Sequence, residues 1–243
     1  MSKIVLNIPH SSTVGVFDNV YGRWPRNQYF YNNHVLSLTD LHTDYLFSTQ
    51  NEEVRQVIFP LSRFVCDVER LENDPLEKDG MGILYTQCGN FKRGELTESA
   101  ENDIMAIRRM HFESIDYELD DNGLIIDCHS FSSADNEECD ICIGYNDYES
   151  YDEHIVRIIS DEFKASGYKV NFNKPYSNSI TPDLKGKKYK SVMIEVNKKV
   201  YMDKRTYRLH EEPKQWMRWF GCLDRIYNRI IEYLNEEESK HIK

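Results

Sequence analysis

The sequence predicts an α/β fold: a mixed, mostly buried sheet flanked by helices. Strand-like runs alternate with helix-like runs along the chain, and several strands are apolar without interruption rather than at every second residue. Uninterrupted apolar strands belong to sheets covered on both faces, and the alternating helices supply the cover. Size agrees. At 243 residues the chain can bury one large core and is short for two, so a single domain over 1–243 is expected.

The elements follow in order. "KIVLNIP" (3–9) reads as a buried strand that runs into a polar loop. "TDLHTDYLF" (39–47) has helical spacing, and Asp40 stands where an N-cap would. "EVRQVIFPL" (53–61) returns as a strand. The region from 62 to 94 is rich in Gly, Asp and Asn and too long for an idle connector, so it reads as a functional loop region. Residues 95–119 form an amphipathic helix with Thr97 or Ser99 as its cap. "GLIIDCH" and "CDICIGY" are strands, and 151–166 is a helix closed by Gly167. "KVNFN" and "KSVMIEVN" (190–197) are strands. A C-terminal helix over 212–237 opens at Pro213, and the tail "EEESKHIK" is expected to fray.

Bulk properties exclude several roles. A formal net charge of -11 repels phosphate backbones, which argues against nucleic acid as a partner. No run of about 18 apolar residues is present to span a membrane. The start "MSKIVLNIPH" is too polar for a secretory core, so a cytoplasmic protein with reduced cysteines is expected. "CDIC" (139–142) has metal-ligand spacing, but no second pair completes a structural zinc site, and its surroundings alternate like a strand. The strand reading is preferred.

In open α/β sheets, ligands bind beyond the carboxyl ends of strands, so the residues that follow each strand are the place to look. His10 follows the first strand, and Ser62, Arg63, Asp67, Glu69 and Arg70 follow "QVIFPL". His129 ends "GLIIDCH", Glu195 and Asn197 end "KSVMIEVN", and Asp40, His42 and Asp44 open the first helix. Two histidines and an acid make an N/N/O set for zinc with one position left open, and a nearby acid can act as general base. Each residue has a plain alternative: His10 in a turn, Asp40 as a helix cap, His129 as an inert strand end. Glu195 inside an apolar strand is harder to explain, because a buried carboxylate needs a partner. Cys128 and His129 cannot form a dyad, since successive strand residues face opposite ways. Asp127, on the same side as His129, is a candidate to orient that imidazole.

The blocks "NIPHSS" (7–12), "TDLHTDYLF", "SRFVCDVER" (62–70), "DCHSF" (127–131) and "MIEVNKKVYM" (193–202), in that order, resemble the N-formylglutamate amidohydrolase (N-formylglutamate deformylase) family. The resemblance implies a phosphorylase/hydrolase-like fold, similar in layout to zinc carboxypeptidases and aspartoacylases. It also implies hydrolysis of an N-acyl amino acid with one divalent metal ion, zinc. Carried over, His10, Asp40 and His129 would be the metal ligands, with His42 as rival to Asp40 or as a substrate contact. Glu195 would be the general base and Arg63 would polarise the carbonyl. Arg70 would bind a carboxylate, and Asn197 is a further substrate contact. The expected partner is a small anionic N-acyl amino acid. One departure matters: Glu69 stands where the family motif has Asn. Either it points away and supports an arginine, or the substrate differs. The loop 79–90 is a second expected determinant of specificity. The alternatives are a non-catalytic metabolite-binding protein and a peptide or cell-wall amidase on the same scaffold.

Overall fold

A six-stranded sheet organises the chain, with strand order β2-β1-β5-β8-β6-β7. The computed structural model describes residues 2–134, 136–148 and 150–241. In chain order the strands are β1 (Ser2–Ile8), β2 (Val54–Ile58), a small hairpin of β3 (Gln87–Cys88) and β4 (Phe91–Lys92), β5 (Leu119–Phe131), β6 (Ile141–Gly144), β7 (Val170–Phe172) and β8 (Tyr189–Asn197). Three short helices, α1 (Gln28–Phe30), α2 (Leu36–Leu38) and α3 (Thr43–Leu46), precede three long ones. Those are α4 (Glu98–Glu118), α5 (Glu153–Ala165) and α6 (Pro213–His241). All contacts in the large sheet are parallel except β6 against β8.

The uninterrupted apolar strands are explained by cover on both faces. Ile4, Leu6, Ile8, Leu124, Ile126, Cys128, Val192, Ile194 and Val196 pack with the buried stripes of α5 and α6. The opposite face places Val5, Val57 and Ile125 against Ile115 and Leu119 at the end of α4. On α6 the buried positions Trp219, Cys222, Leu223, Ile226, Tyr227 and Ile230 recur at three and four residues, which keeps one side of the helix on the sheet. Burying one such side chain contributes about 1.5–3 kcal/mol, so these stripes hold the layers together.

Chain termini of the helices follow local chemistry. Thr97, not Ser99, caps α4, its hydroxyl accepting from the Ala100 amide. Asp152 caps α5, and Gly167 follows that helix at φ 84°, a left-handed conformation that glycine adopts without a steric cost. Two expectations differ. The helix expected over 39–47 is reduced to Thr43–Leu46, because His42 sits at φ 67° and Thr39 is extended. Asp40 therefore caps nothing, and its carboxylate turns elsewhere. The tail does not fray within the described residues: α6 continues to His241, tied back by an ion pair between Lys3 and Glu238. Residues 242 and 243 lie outside the described part. All six cysteines are buried and unpaired, and Cys142 lies within β6, as the strand reading of "CDIC" has it.

The chain leaves β1 for β2 on one side and returns to pair β5 on the other. Such a reversal opens a crevice at the carboxyl end of β1, the usual place for a ligand in this architecture.

Candidate active site

Register brings the polar residues together. Asn7 of β1 pairs with Asp127 of β5, and His129 of β5 pairs with Glu195 of β8. Paired residues share a face, and side chains alternate along each strand. Asn7, Asp127, His129 and Glu195 thus lie on the α4 side of the sheet, opposite Cys128. His10 follows β1 at the same end. Asp40 is brought in by its loop: its amide donates to the His10 carbonyl at 2.9 Å. Lys198, just past β8, secures that loop by donating from Nζ to the carbonyls of Ser37 (2.7 Å) and Thr39 (2.8 Å).

The two imidazoles are held almost entirely by carboxylates. His10 Nε2 lies 2.8 Å from Asp67 Oδ1, and its buried Nδ1 has no hydrogen-bond partner. His129 has Asp40 Oδ2 3.1 Å from Nδ1, and Glu69 Oε2 (3.1 Å) and Asp127 Oδ1 (3.2 Å) beside Nε2. Glu69 Oε2 is also 3.9 Å from His10 Nδ1, and Asp40 Oδ2 is 3.7 Å from the same atom. Ligating atoms of His10, Glu69 and His129 all come within 4.8 Å of one another, the one such trio among the described residues.

Glu69 therefore does not point away. It enters the centre with the two histidines, while Asp40 approaches both rings from outside that trio and also accepts from Ser130 Oγ at 3.2 Å. A histidine commonly ligates through one nitrogen while a carboxylate orients the other. On His10 that division is already visible, with Asp67 on Nε2 and the bare Nδ1 facing Glu69 and Asp40.

Asp67 is the hub on the arginine side. It accepts from Arg63 Nη2 (2.8 Å) and Tyr85 Oη (3.0 Å), and Arg70 Nε is 3.6 Å away. Arg63 also donates from Nη1 to the Leu38 carbonyl at 3.1 Å, which leaves one hydrogen on each of its two terminal nitrogens. Arg70 forms longer ion pairs, Nε to Asp67 at 3.6 Å and Nη1 to Asp74 at 3.5 Å, and its Nε has no hydrogen-bond partner, so this guanidinium is less tightly held than that of Arg63. Tyr85 comes from the loop 79–90, which thus reaches the centre through one phenol.

Charge is the dominant property of the cluster. Asp40, Asp67, Asp127, Glu69 and Glu195 face Arg63, Arg70 and Lys198, so carboxylates outnumber permanent cations. Burial works against ionisation of each of these five carboxylates. Arg63 and His10 hold Asp67 well below the usual carboxylate range despite that burial. The imidazoles of His10 and His129 beside it do the same for Asp40, and His129 with its neighbours lowers Asp127 to about 2. Glu69 is raised by burial and by Asp127. Burial also pushes Glu195 up, with His129 opposing and Asp40, Asp127 and Glu69 adding, to about 8. Its Oε2 has no hydrogen-bond partner. His129 is raised well above its ordinary value: burial opposes, but Glu69 and Asp127 outweigh it. The bare Nδ1 of His10 and a surplus of carboxylates over permanent cations suit a divalent cation.

Two expected substrate contacts lie elsewhere. His42 donates from Nε2 to the Tyr207 carbonyl, 2.9 Å away, and pins that loop. Asn197 is fully buried: its amide donates to the carbonyls of Asn136 (3.1 Å) and Cys139 (2.8 Å), and its oxygen accepts from Ser133 Oγ (2.8 Å) and the Lys199 amide (3.2 Å). Every hydrogen-bonding position is taken, so it braces the end of β8. Conversely, Asn7 and His111 take part without having been singled out. The signal was available: Asn7 interrupts an apolar strand, and His111 stands in the buried stripe of α4 with Ala100, Ile104 and Ile115.

The sequence profile of the N-formylglutamate amidohydrolase family matches residues 2–202. The fold is similar to that of an N-formylglutamate amidohydrolase from Ralstonia eutropha JMP134, with TM-score 0.67 at 16% identity over 97% of this chain and 95% of that one. It is also similar to a gene product of Agrobacterium tumefaciens, with TM-score 0.58 at 14% identity over 96% and 92% of the two chains. At such identities the likeness speaks for the fold alone. No curated protein matches at the level of sequence.

Proposed function

The chain belongs to the N-formylglutamate amidohydrolase family, and from that premise we propose that it hydrolyses the amide of a small N-acyl amino acid, N-formyl-L-glutamate before others, with one zinc ion. The convergence of His10, Glu69 and His129 within 4.8 Å carries the reading. Two imidazoles and a carboxylate are a donor set of catalytic zinc sites, in which a fourth position stays open. The bare Nδ1 of His10 and the excess of carboxylates around it fit that ion. Bound there, zinc would supply Lewis acidity to the acyl carbonyl and lower the pKa of a water molecule.

The protein's own groups divide the remaining work. Asp67 and Asp40 orient the two imidazoles, and Asp127 supports His129 from the other side. Glu195 takes the proton of the attacking water and returns it to the leaving nitrogen. An added cation nearby would bring its pKa down from about 8 toward the working range. Arg63 directs its remaining hydrogens at the developing oxyanion. Arg70 pairs with the substrate carboxylate, which a chain of net charge -11 needs in order to hold an anion. His42 and Asn197 are assigned to the scaffold.

Enclosure favours a small substrate over a peptide: His129 and Glu195 are each only 7% exposed. The test is formate release from N-formyl-L-glutamate by the zinc-loaded chain. Absence of hydrolysis across a panel of N-acyl amino acids, with zinc bound, would overturn the enzyme reading and leave a binding protein.

A further inference from the structure

Asn7 is fully buried in β1, where a side-chain amide is costly unless all its groups are paired. Its Nδ2 lies 2.9 Å from Glu69 Oε1 and 2.9 Å from Asp127 Oδ1, and its Oδ1 lies 2.7 Å from His111 Nε2. The orientation follows from donor arithmetic. An ionised carboxylate only accepts, so the NH2 group must face Glu69 and Asp127. The carbonyl oxygen then faces His111, whose Nε2 must carry the hydrogen. His111 is itself buried in α4, edge-on to Phe59 at 5.4 Å.

We infer that Asn7, locked by His111, is a positioning residue that turns Glu69 into a one-oxygen donor toward the centre and keeps it beside Asp127. This inference rests on the metal-hydrolase reading above. The geometry gives two reasons. Asn7 engages Oε1 of Glu69, so Oε2 is the oxygen left to face His129 Nε2 at 3.1 Å and His10 Nδ1 at 3.9 Å. The same amide bridges two carboxylates that would otherwise repel each other. Neither Asn7 nor His111 belongs to the converging trio, so their effect reaches the centre only through Glu69 and Asp127. α4 thereby takes part in the site without contributing a ligand.

The test is zinc affinity, measured by competition with a chromophoric chelator on the full chain, with folding followed by circular dichroism. Asn7→Ala is expected to weaken zinc binding by about 10–100-fold, the usual effect of losing a group that orients a ligand. His111→Leu should weaken it in the same direction. His111→Gln, whose amide can still donate to Asn7 Oδ1, should restore affinity to within about threefold of wild type. The histidine pair keeps the test decisive if Asn7→Ala does not fold. A purely structural role would lower the melting temperature of both variants and leave the zinc dissociation constant unchanged. Wild-type affinity in folded Asn7→Ala and in His111→Leu overturns the positioning role alone. A wild-type chain that binds no zinc overturns the metal reading, and this inference with it.

Discussion

Glu195 lies directly across from His129 in the parallel register of β8 and β5, so one row of the sheet presents an acid beside an imidazole on the same face. That placement separates two jobs. His129 is surrounded by three carboxylates, whereas Glu195 keeps a buried oxygen with no hydrogen-bond partner. Removing the acid from this row should therefore damage proton transfer and spare the metal. For Glu195→Gln we expect kcat to fall about 10²–10⁴-fold, with bound zinc and KM close to wild type. Steady-state formate release together with elemental analysis reads both quantities; a kcat within threefold of wild type would remove Glu195 from the mechanism.

In the proposed zinc site two carboxylates compete for the third ligand position. Glu69 converges with His10 and His129, and Asp40 stands 3.1 Å from the other nitrogen of His129. Glu69→Gln should abolish stoichiometric zinc, as should His10→Ala and His129→Ala. Asp40→Asn should only weaken it, by about 10–100-fold, as expected for an orienting group. The reverse order of severity, in elemental analysis after dialysis, would return Asp40 to the ligand set.

Arg70 has the more loosely held guanidinium, because its ion pairs to Asp67 and Asp74 are 3.5 Å or longer whereas Arg63 hydrogen-bonds Asp67 and Leu38. Arg70→Ala is expected to raise KM for N-formyl-L-glutamate by about 10–100-fold, the loss of one charge-assisted pair worth about 1.5–3 kcal/mol. kcat should change less. Kinetics with substrates that keep or lack the α-carboxylate would identify which anion it holds, and an unchanged KM for all of them would sink the assignment.

The metal-free chain should lose stability as pH rises. Glu195 has a folded pKa of about 8, above the ordinary 4.5, so ionising it penalises the folded state progressively between those values. His10 and His129 are raised too, and their contribution is complete below about pH 6.5 and lost as pH climbs through their folded values. The depressed groups Asp40, Asp67 and Asp127 act in the other direction, only at acid pH. Melting temperatures in chelator are thus expected to fall from pH 5 to pH 8, and Glu195→Gln should flatten part of the slope. A melting temperature that rises across this interval would contradict the raised values of Glu195, His10 and His129.

Much of this molecule was legible in its order of residues. Uninterrupted apolar strands required cover on both faces, and the helical stripes between them supplied it. His10, His129 and Glu195 could be placed at the carboxyl ends of strands from local pattern, because a strand's polar end is a local property. Asp127 could be paired with His129 because side chains alternate at a period of two.

What needed the tertiary structure was every relationship between distant segments. The residue at 69 looked like a misfit in a motif, yet it turns into the centre because Asn7, 62 positions away, holds one of its oxygens. His42 and Asn197 carry suitable chemistry, but the fold spends their hydrogen bonds on the carbonyls of Tyr207, Asn136 and Cys139. Asp40 looked like a helix cap until the left-handed turn at His42 shortened the helix and released its carboxylate. Hydrogen bonds and ion pairs act over a few ångströms, so sequence determines which groups exist and the packed chain decides which of them meet.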